Sequence, residues 1–267
     1  MQPVPIYLPS NCQPAYQLNW SLSVFGKFSL PSPAGQIEAL RAEVAKGELR
    51  ILQWLFREPN VAMFFVSSKP GTAPSQIIRS IKARWQYLSR PEKSLEFRRN
   101  YRITSVGTSN KEIIDAYVAK QPQRHIMADE KVQATIEQVQ FHDPAVDLAA
   151  TRRSSHGEFI HSLQIVVELE PGGYETRPSV LDMFRKMAIA TCSRHQWPLS
   201  RIGLLSNHMH LLLGAGINDA PEEIAMALMN NIAWSQGMKP ILRFSFYAGT
   251  CSRQLALRRN KSGGSGV

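Results

Sequence analysis

Two short patterns in the sequence carry side chains able to do chemistry. His208-Met209-His210 opens an apolar run that continues through Leu211, Leu212 and Leu213. Strand side chains alternate, so both imidazoles leave one face and Met209 the other. Two neutral imidazoles on one face are half of a divalent-metal site. Tyr117 and Gln121 stand four apart in Asn110–Gln121, where Ile113, Ile114 and Tyr117 have helical spacing and Asn110 is placed to cap the first turn. A tyrosine is a covalent nucleophile when something stabilises its phenolate and polarises its electrophile. Each pattern alone also fits packing: His-x-His as decoration of a strand, a tyrosine as the apolar face of a helix.

The elements that position these residues are written twice. Glu58-Pro59-Asn60-Val61-Ala62-Met63-Phe64-Phe65-Val66 aligns with Leu205-Ser206-Asn207-His208-Met209-His210-Leu211-Leu212-Leu213 at an offset of 147, which also carries Ala73-Pro74 onto Ala220-Pro221. Both copies predict a strand, a loop and a helix opened by proline at its first turn. Upstream, Leu18–Phe25 and Leu163–Leu169 predict matching first strands. A helix follows each, with Ile37, Leu40 and Val44 on one face before a Gly47 stop, and Val180, Met183, Phe184 and Met187 on one face in the second copy. Strands Leu49–Phe56 and Arg201–Leu205 come next, and strands Tyr101–Val106 and Phe244–Thr250 close the copies. The expected fold class is α+β: two tandem ferredoxin-like or RRM-like sandwiches, each an antiparallel sheet with helices on one face. The boundaries expected are residues 10–127 for the first unit, 128–157 for a helical linker, 158–260 for the second unit and 261–267 for a Gly/Ser tail.

Thirty-one basic against 21 acidic residues give the 267-residue chain a net charge of +10, which favours a polyanionic partner, nucleic acid first. The hydrophobic share of 43% excludes wholesale disorder. Arg79, Lys82, Arg84, Arg98, Arg99 and Arg102 cluster with Trp85, Tyr87 and Tyr101 among them, a composition suited to phosphate contact plus base stacking, and equally to a solvated helix face. No apolar run is long enough to span a membrane, no secretion leader is apparent, and Cys12, Cys192 and Cys251 are too few and scattered for a disulfide framework, so a cytoplasmic location is expected. There is no Gly-x-x-x-x-Gly-Lys phosphate loop, so a nucleotide cofactor is not expected.

Together the motifs resemble the HUH endonucleases, and among them the single-tyrosine transposases of the IS200/IS605 kind and the REP-associated tyrosine transposases. The resemblance rests on the His-hydrophobic-His strand, on the helix begun by Pro74-Ser75-Gln76-Ile77-Ile78-Arg79-Ser80-Ile81-Lys82, on Tyr101-Arg102-Ile103-Thr104-Ser105-Val106-Gly107, and on Tyr117-Val118-Ala119-Lys120-Gln121. It covers roughly residues 16–124 and 161–254. It implies a dimer in which the tyrosine helix of one subunit completes the histidine site of the other. This chain departs from that pattern in a complementary way: Val61 and Met63 replace the histidines of the first copy, and no tyrosine helix follows the second. It therefore resembles such a dimer fused end to end into a pseudo-dimer, with one composite site left.

The resemblance implies metal-dependent nicking and rejoining of single-stranded or hairpin DNA, with Tyr117 as nucleophile and His208, His210 and Gln121 holding one Mg²⁺ or Mn²⁺. The link would be a 5′-phosphotyrosine beside a free 3′ hydroxyl. Arg79 to Arg102 would follow the DNA, and the chain would act as a monomeric pseudo-dimer able to pair further. Two readings compete: a domesticated nucleic-acid-binding protein on the same scaffold, and an RRM-type RNA binder. The latter predicts aromatics on adjacent central strands, whereas Phe64 and Phe65 must face opposite ways. His125 is expected at the surface, and His142, His156, His161 and His195 are expected to be structural or solvent-facing.

Overall fold

The computed structural model describes residues 4–31, 35–90, 95–107 and 111–252. The expected Asn110 cap and the basic residues from Arg253 onward, with the Gly/Ser tail, lie outside the described residues. The first half comprises β1 (Gln13–Gln17), β2 (Asn19–Gly26), α1 (Ile37–Ala45), β3 (Leu49–Glu58), β4 (Val61–Ser68), α2 (Pro74–Leu88) and β5 (Phe97–Val106). Helices α3 (Lys111–Ala119), α4 (Gln121–Arg124) and α5 (Glu130–Gln138) follow, then the short strands β6 (Phe141–His142) and β7 (Arg152–Arg153). The second half comprises β8 (Gly157–Ile160), β9 (Ser162–Leu169), α6 (Pro178–Arg194), β10 (Leu199–Leu204), β11 (His208–Gly214), α7 (Pro221–Ser235) and β12 (Leu242–Thr250).

Two six-stranded sheets result, ordered β3-β4-β2-β5-β8-β7 and β6-β10-β11-β9-β12-β1. The four strands β3-β4-β2-β5 and their counterparts β10-β11-β9-β12 are antiparallel neighbours in the same order, so the chain is a tandem α+β duplication. Alternation sets the layers. Trp20, Leu22 and Val24 on β2 and Ala62, Phe64 and Val66 on β4 are buried against Ile77, Ile81 and Trp85 of α2. Phe64 meets Trp85 edge-on at 5.5 Å. Each buried Val, Leu, Ile or Phe among them contributes about 1.5–3 kcal/mol. The second core is larger and includes Ile165 and Val167 on β9, Met209 and Leu211 on β11 and Ile224, Leu228 and Ile232 on α7.

The duplication is visible atom by atom. In α2 the Gln76 side chain accepts the Ala73 N–H, and in α7 Glu223 accepts the Ala220 N–H. The first turn of each helix donates to the loop before the other: Ser75 N–H to Ile217 O at 2.9 Å, Glu222 N–H to Pro70 O at 3.0 Å. The Ser105 hydroxyl accepts from Ser162 N–H and donates to Cys251 O. Its counterpart Thr250 accepts from Asn19 N–H and donates to Val106 O.

Four strands were not anticipated, and two of them trade places. β1 pairs parallel with β12 of the other sheet, and β8 pairs parallel with β5. Gln13–Gln17 is almost wholly exposed and contains Pro14, a residue tolerated only at sheet edges, so it shows no apolar alternation. The segment 128–157 is more than a helical linker, because β6 joins one sheet and β7 the other. The face expected for α6 also shifts. Leu181, Phe184, Ala188, Thr191 and Cys192 are buried there, while Met183 is exposed. Small residues on that stripe let α6 settle against its neighbours, where the larger methionines suggested a different side. All three cysteines are buried free thiols. Among the described residues, no helix is long and apolar enough to cross a membrane.

Candidate metal and nucleophile site

Each sheet has helices on one face and an open face opposite. On β11 the alternation sends Met209 into the core and both histidines to the open side, as the spacing predicted. Their rings lie 4.9 Å apart, centroid to centroid. α3, which follows β5 of the first half, crosses onto this face of the second sheet. Three contacts seat it there. Asp115 accepts two hydrogen bonds from Arg201, at 2.7 and 2.9 Å. Val118 is fully buried against Leu212 and Leu148. Gly203 on β10 provides the room, since a Cβ there would stand 2.5 Å from Val118 Cγ1. A leucine at this position therefore unseats the helix. Gly203→Leu is expected to speed amide exchange over residues 112–119 by about tenfold or more, at a cost of about 1–3 kcal/mol, with both sheets still protected.

This seating brings Tyr117 to the histidines across ninety positions of chain. Its ring meets that of His210 edge-on at 5.8 Å. The i→i−4 hydrogen bonds continue through Lys120, Arg124 and His125, so Tyr117, Gln121 and His125 recur every fourth residue along one side of α3 and α4. His125 is exposed, as expected, yet its ring reaches 5.9 Å from that of His208. The Arg124 guanidinium lies over the Tyr117 ring at 5.2 Å, placing a positive charge beside the phenol.

The residues fit a divalent cation on three counts. First, the imidazoles are uncharged at neutral pH: burial drives His210 down to about 4, and burial, helped by the His125 charge, also lowers His208. Second, neighbouring amides hold one nitrogen of each ring. Asn207 Oδ1 is 2.7 Å from His208 Nδ1, and Gln164 Nε2 is 3.2 Å from His210 Nδ1. With Nδ1–H donating to Asn207, the His208 Nε2 lone pair is open; Gln164 as placed donates to His210 Nδ1, and its carboxamide must turn over for Nδ1–H to donate and the His210 Nε2 lone pair to open. Third, Gln121 is buried, and neither its oxygen nor its nitrogen has a partner. An orphaned buried amide costs about 1–3 kcal/mol unless a ligand satisfies it. Among the described residues no three His, Cys, Asp or Glu side chains are arranged around one metal position, so a cation here would have two imidazoles and, as a third donor, a neutral amide such as that of Gln121.

No family model matches this sequence, and no curated protein matches it. Solved structures do. One is a REP-associated tyrosine transposase bound to a REP hairpin, at 15% identity and TM-score 0.32 over 35% of this chain. The chain spans 58% of the length of that transposase. Another is a protein described as a glycine cleavage system transcriptional repressor, at 6% identity and TM-score 0.24, with 88% of this chain and 98% of that one covered. At such TM-scores neither likeness says what this chain does.

The corresponding face of the first sheet is stripped. Val61 and Met63 take the histidine places, and Ser21 stands where Gln164 does. Leu55 pairs with Met63 as Gly203 pairs with His210, so a side chain fills the helix seat, and Gln53 replaces Arg201. The basic cluster divides as well. Lys82 is half-buried and donates to the carbonyls of Arg98, Arg99 and Asn100, and burial lowers its pKa to about 8. Arg84 bonds Ser80 and lies against Gly47. Those two are engaged in the fold, while Arg79, Arg98, Arg99 and Arg102 are exposed. Arg102 faces the open side, opposite the helix layer that carries Arg79, so the six do not form one stripe. His161 is buried rather than solvent-facing, held by Gly216 O at Nδ1 and edge-on to Trp20. Sequence reasoning missed Asp115, Arg201 and Gly203, whose partners lie far away in the chain; only Asn207, adjacent to the histidines, was in plain view.

Proposed function

We propose that this chain nicks and rejoins single-stranded DNA at one composite site, with Tyr117 as nucleophile and His208, His210 and Gln121 as ligands of one divalent cation, Mg²⁺ or Mn²⁺. The observation that carries the reading is the contact of Tyr117 with His210 across the two halves. A cation held there would polarise the scissile phosphate and offset the charge that develops on its oxygens. The Tyr117 oxygen attacks phosphorus, the bond from phosphorus to the 3′ oxygen breaks, and the phenol proton ends on that 3′ hydroxyl. The 5′-phosphotyrosine then yields to a 3′ hydroxyl by the reverse exchange, one phosphodiester replacing another. Arg124 beside the phenol puts a positive charge where it would attract a nearby phosphate. Exposed Arg79, Arg98, Arg99 and Arg102 supply salt-dependent attraction for the DNA.

A single site predicts a stoichiometry. Excess labelled oligonucleotide, incubated with the full chain and Mn²⁺ and then denatured, should leave at most one tyrosyl adduct per polypeptide in a mass spectrum. Two adducts on one chain contradict the proposal, and a chain that binds DNA but forms none, with every divalent metal tried, favours the non-catalytic binding protein.

A further inference from the structure

Beside Tyr117, on the open face of the second sheet, lies a cavity of about 280 Å³ that the proposed chemistry does not use. Its floor has an unusual construction. Gln164, Gly249 and Gln17 stand in one row across β9, β12 and β1. Tyr247, two residues before Gly249 and so on the same face, leans along the strand: a Cβ on Gly249 would stand 2.5 Å from the Tyr247 hydroxyl and 3.0 Å from ring carbons Cε1 and Cζ. Glycine thus lets an aromatic ring lie over the strand between two carboxamides. Ile113 and Tyr117 of α3 form the facing wall.

The chemistry of such a slot is that of a nucleobase. An aromatic ring and an aliphatic side chain suit a flat ring system between them, and carboxamides at the margin offer both donors and acceptors to its edge. The sheet without the histidines provides a comparison within the same chain. There the residues in the corresponding places are Arg102 for Tyr247, Thr104 for Gly249, Ser21 for Gln164 and Ile160 for Gln17. At these places ring, glycine and both glutamines occur only in the sheet that has the histidines. Gln164 also contacts His210, so one side chain borders both the slot and the proposed ligand.

The geometry points to a base-selective slot: this cavity takes the base of a nucleotide adjoining the scissile phosphate, stacked on Tyr247 and read by Gln164 and Gln17. The inference rests on the proposed nicking reaction for its place in the cycle, but base binding can be read without cleavage. Two measurements on the full chain test it. In the first, wild type with Mn²⁺ cuts a random-sequence single-stranded DNA library, and the new ends are sequenced. One base is expected to be enriched about tenfold or more at a position flanking the cut. Tyr247→Ala should erase that enrichment, and Tyr247→Phe, which keeps the ring, should retain it. In the second, 5-iodouracil-substituted oligonucleotides are crosslinked by ultraviolet light, and the adduct is mapped to Tyr247. Cutting without flanking preference, or a preference untouched by Tyr247→Ala, overturns the slot and leaves the nicking reading standing. A crosslink at Tyr247 without any cutting supports the slot and removes the nicking reading. Neither cutting nor a crosslink at Tyr247 overturns both.

Discussion

Tyr117→Phe should abolish the covalent DNA adduct and slow nicking by on the order of 10³-fold or more, with DNA binding changed little. The substitution is narrow. Phenylalanine keeps the ring that meets His210 edge-on and lies under Arg124, and it loses only the hydroxyl. Tyr117 is 40% exposed, so removing its oxygen leaves no buried group unsatisfied and stability should hold. Tyr247 is the natural control, being a second phenol on the same cavity. Its hydroxyl is drawn over Gly249 and it has no ring contact with His208 or His210. Tyr247→Phe should therefore nick at close to the wild-type rate. The checks are a denaturing-gel nicking assay, adduct mass, and oligonucleotide affinity by fluorescence anisotropy at one fixed salt concentration. If Tyr117→Phe cuts as well as wild type, the nucleophile is another group.

The parts of the fold legible in the sequence were those with a local signal. Period-two alternation marked β2 and β9, apolar runs marked β4 and β11, and Ala-Pro at the start of α2 and α7 fixed the 147-residue register. The strand exchange was not legible, because β1 and β8 gain their place from backbone pairing with the opposite half and carry little apolar pattern of their own. The site divides the same way. His208 and His210 share a face by simple alternation, and Tyr117 and Gln121 share one by helical repeat. What joins the two pairs is a bidentate ion pair from Asp115 to Arg201 and an empty place at Gly203. An aspartate, an arginine and a glycine read singly are surface and turn residues; their meaning comes only from contact. The basic cluster failed for the converse reason. Composition counts charges but not their directions, and Lys82 is turned onto three carbonyls.

Gln121→Met separates a ligand from a packing residue, because only the ligand role predicts a loss of Mn²⁺ affinity. Gln121 is buried with both amide atoms unpartnered. If it only packs, replacing it with an apolar side chain of similar shape removes an orphaned polar group, stabilises the chain by about 1–3 kcal/mol and leaves Mn²⁺ binding alone. As a ligand it should gain the same stability without metal and lose affinity for Mn²⁺, since a thioether is too soft for a hard cation. His210→Ala should weaken Mn²⁺ by about 10²-fold or more, a larger loss than removing a supporting amide partner such as Asn207. Proton competition adds a pH signature. An ordinary imidazole begins to lose its lone pair to a proton below about 6.5. Burial holds His210 at about 4 and also lowers His208, so the loss of Mn²⁺ affinity on acidification should begin below the range of an ordinary imidazole and be complete only as the pH falls through about 4. Calorimetric titration of Mn²⁺ from pH 4 to 8, with thermal melts of each variant without metal, reads both quantities and needs no DNA. Mn²⁺ affinity equal in wild type, His210→Ala and Gln121→Met would remove the cation from this site, and with it the reason for Tyr117 to lie where it does.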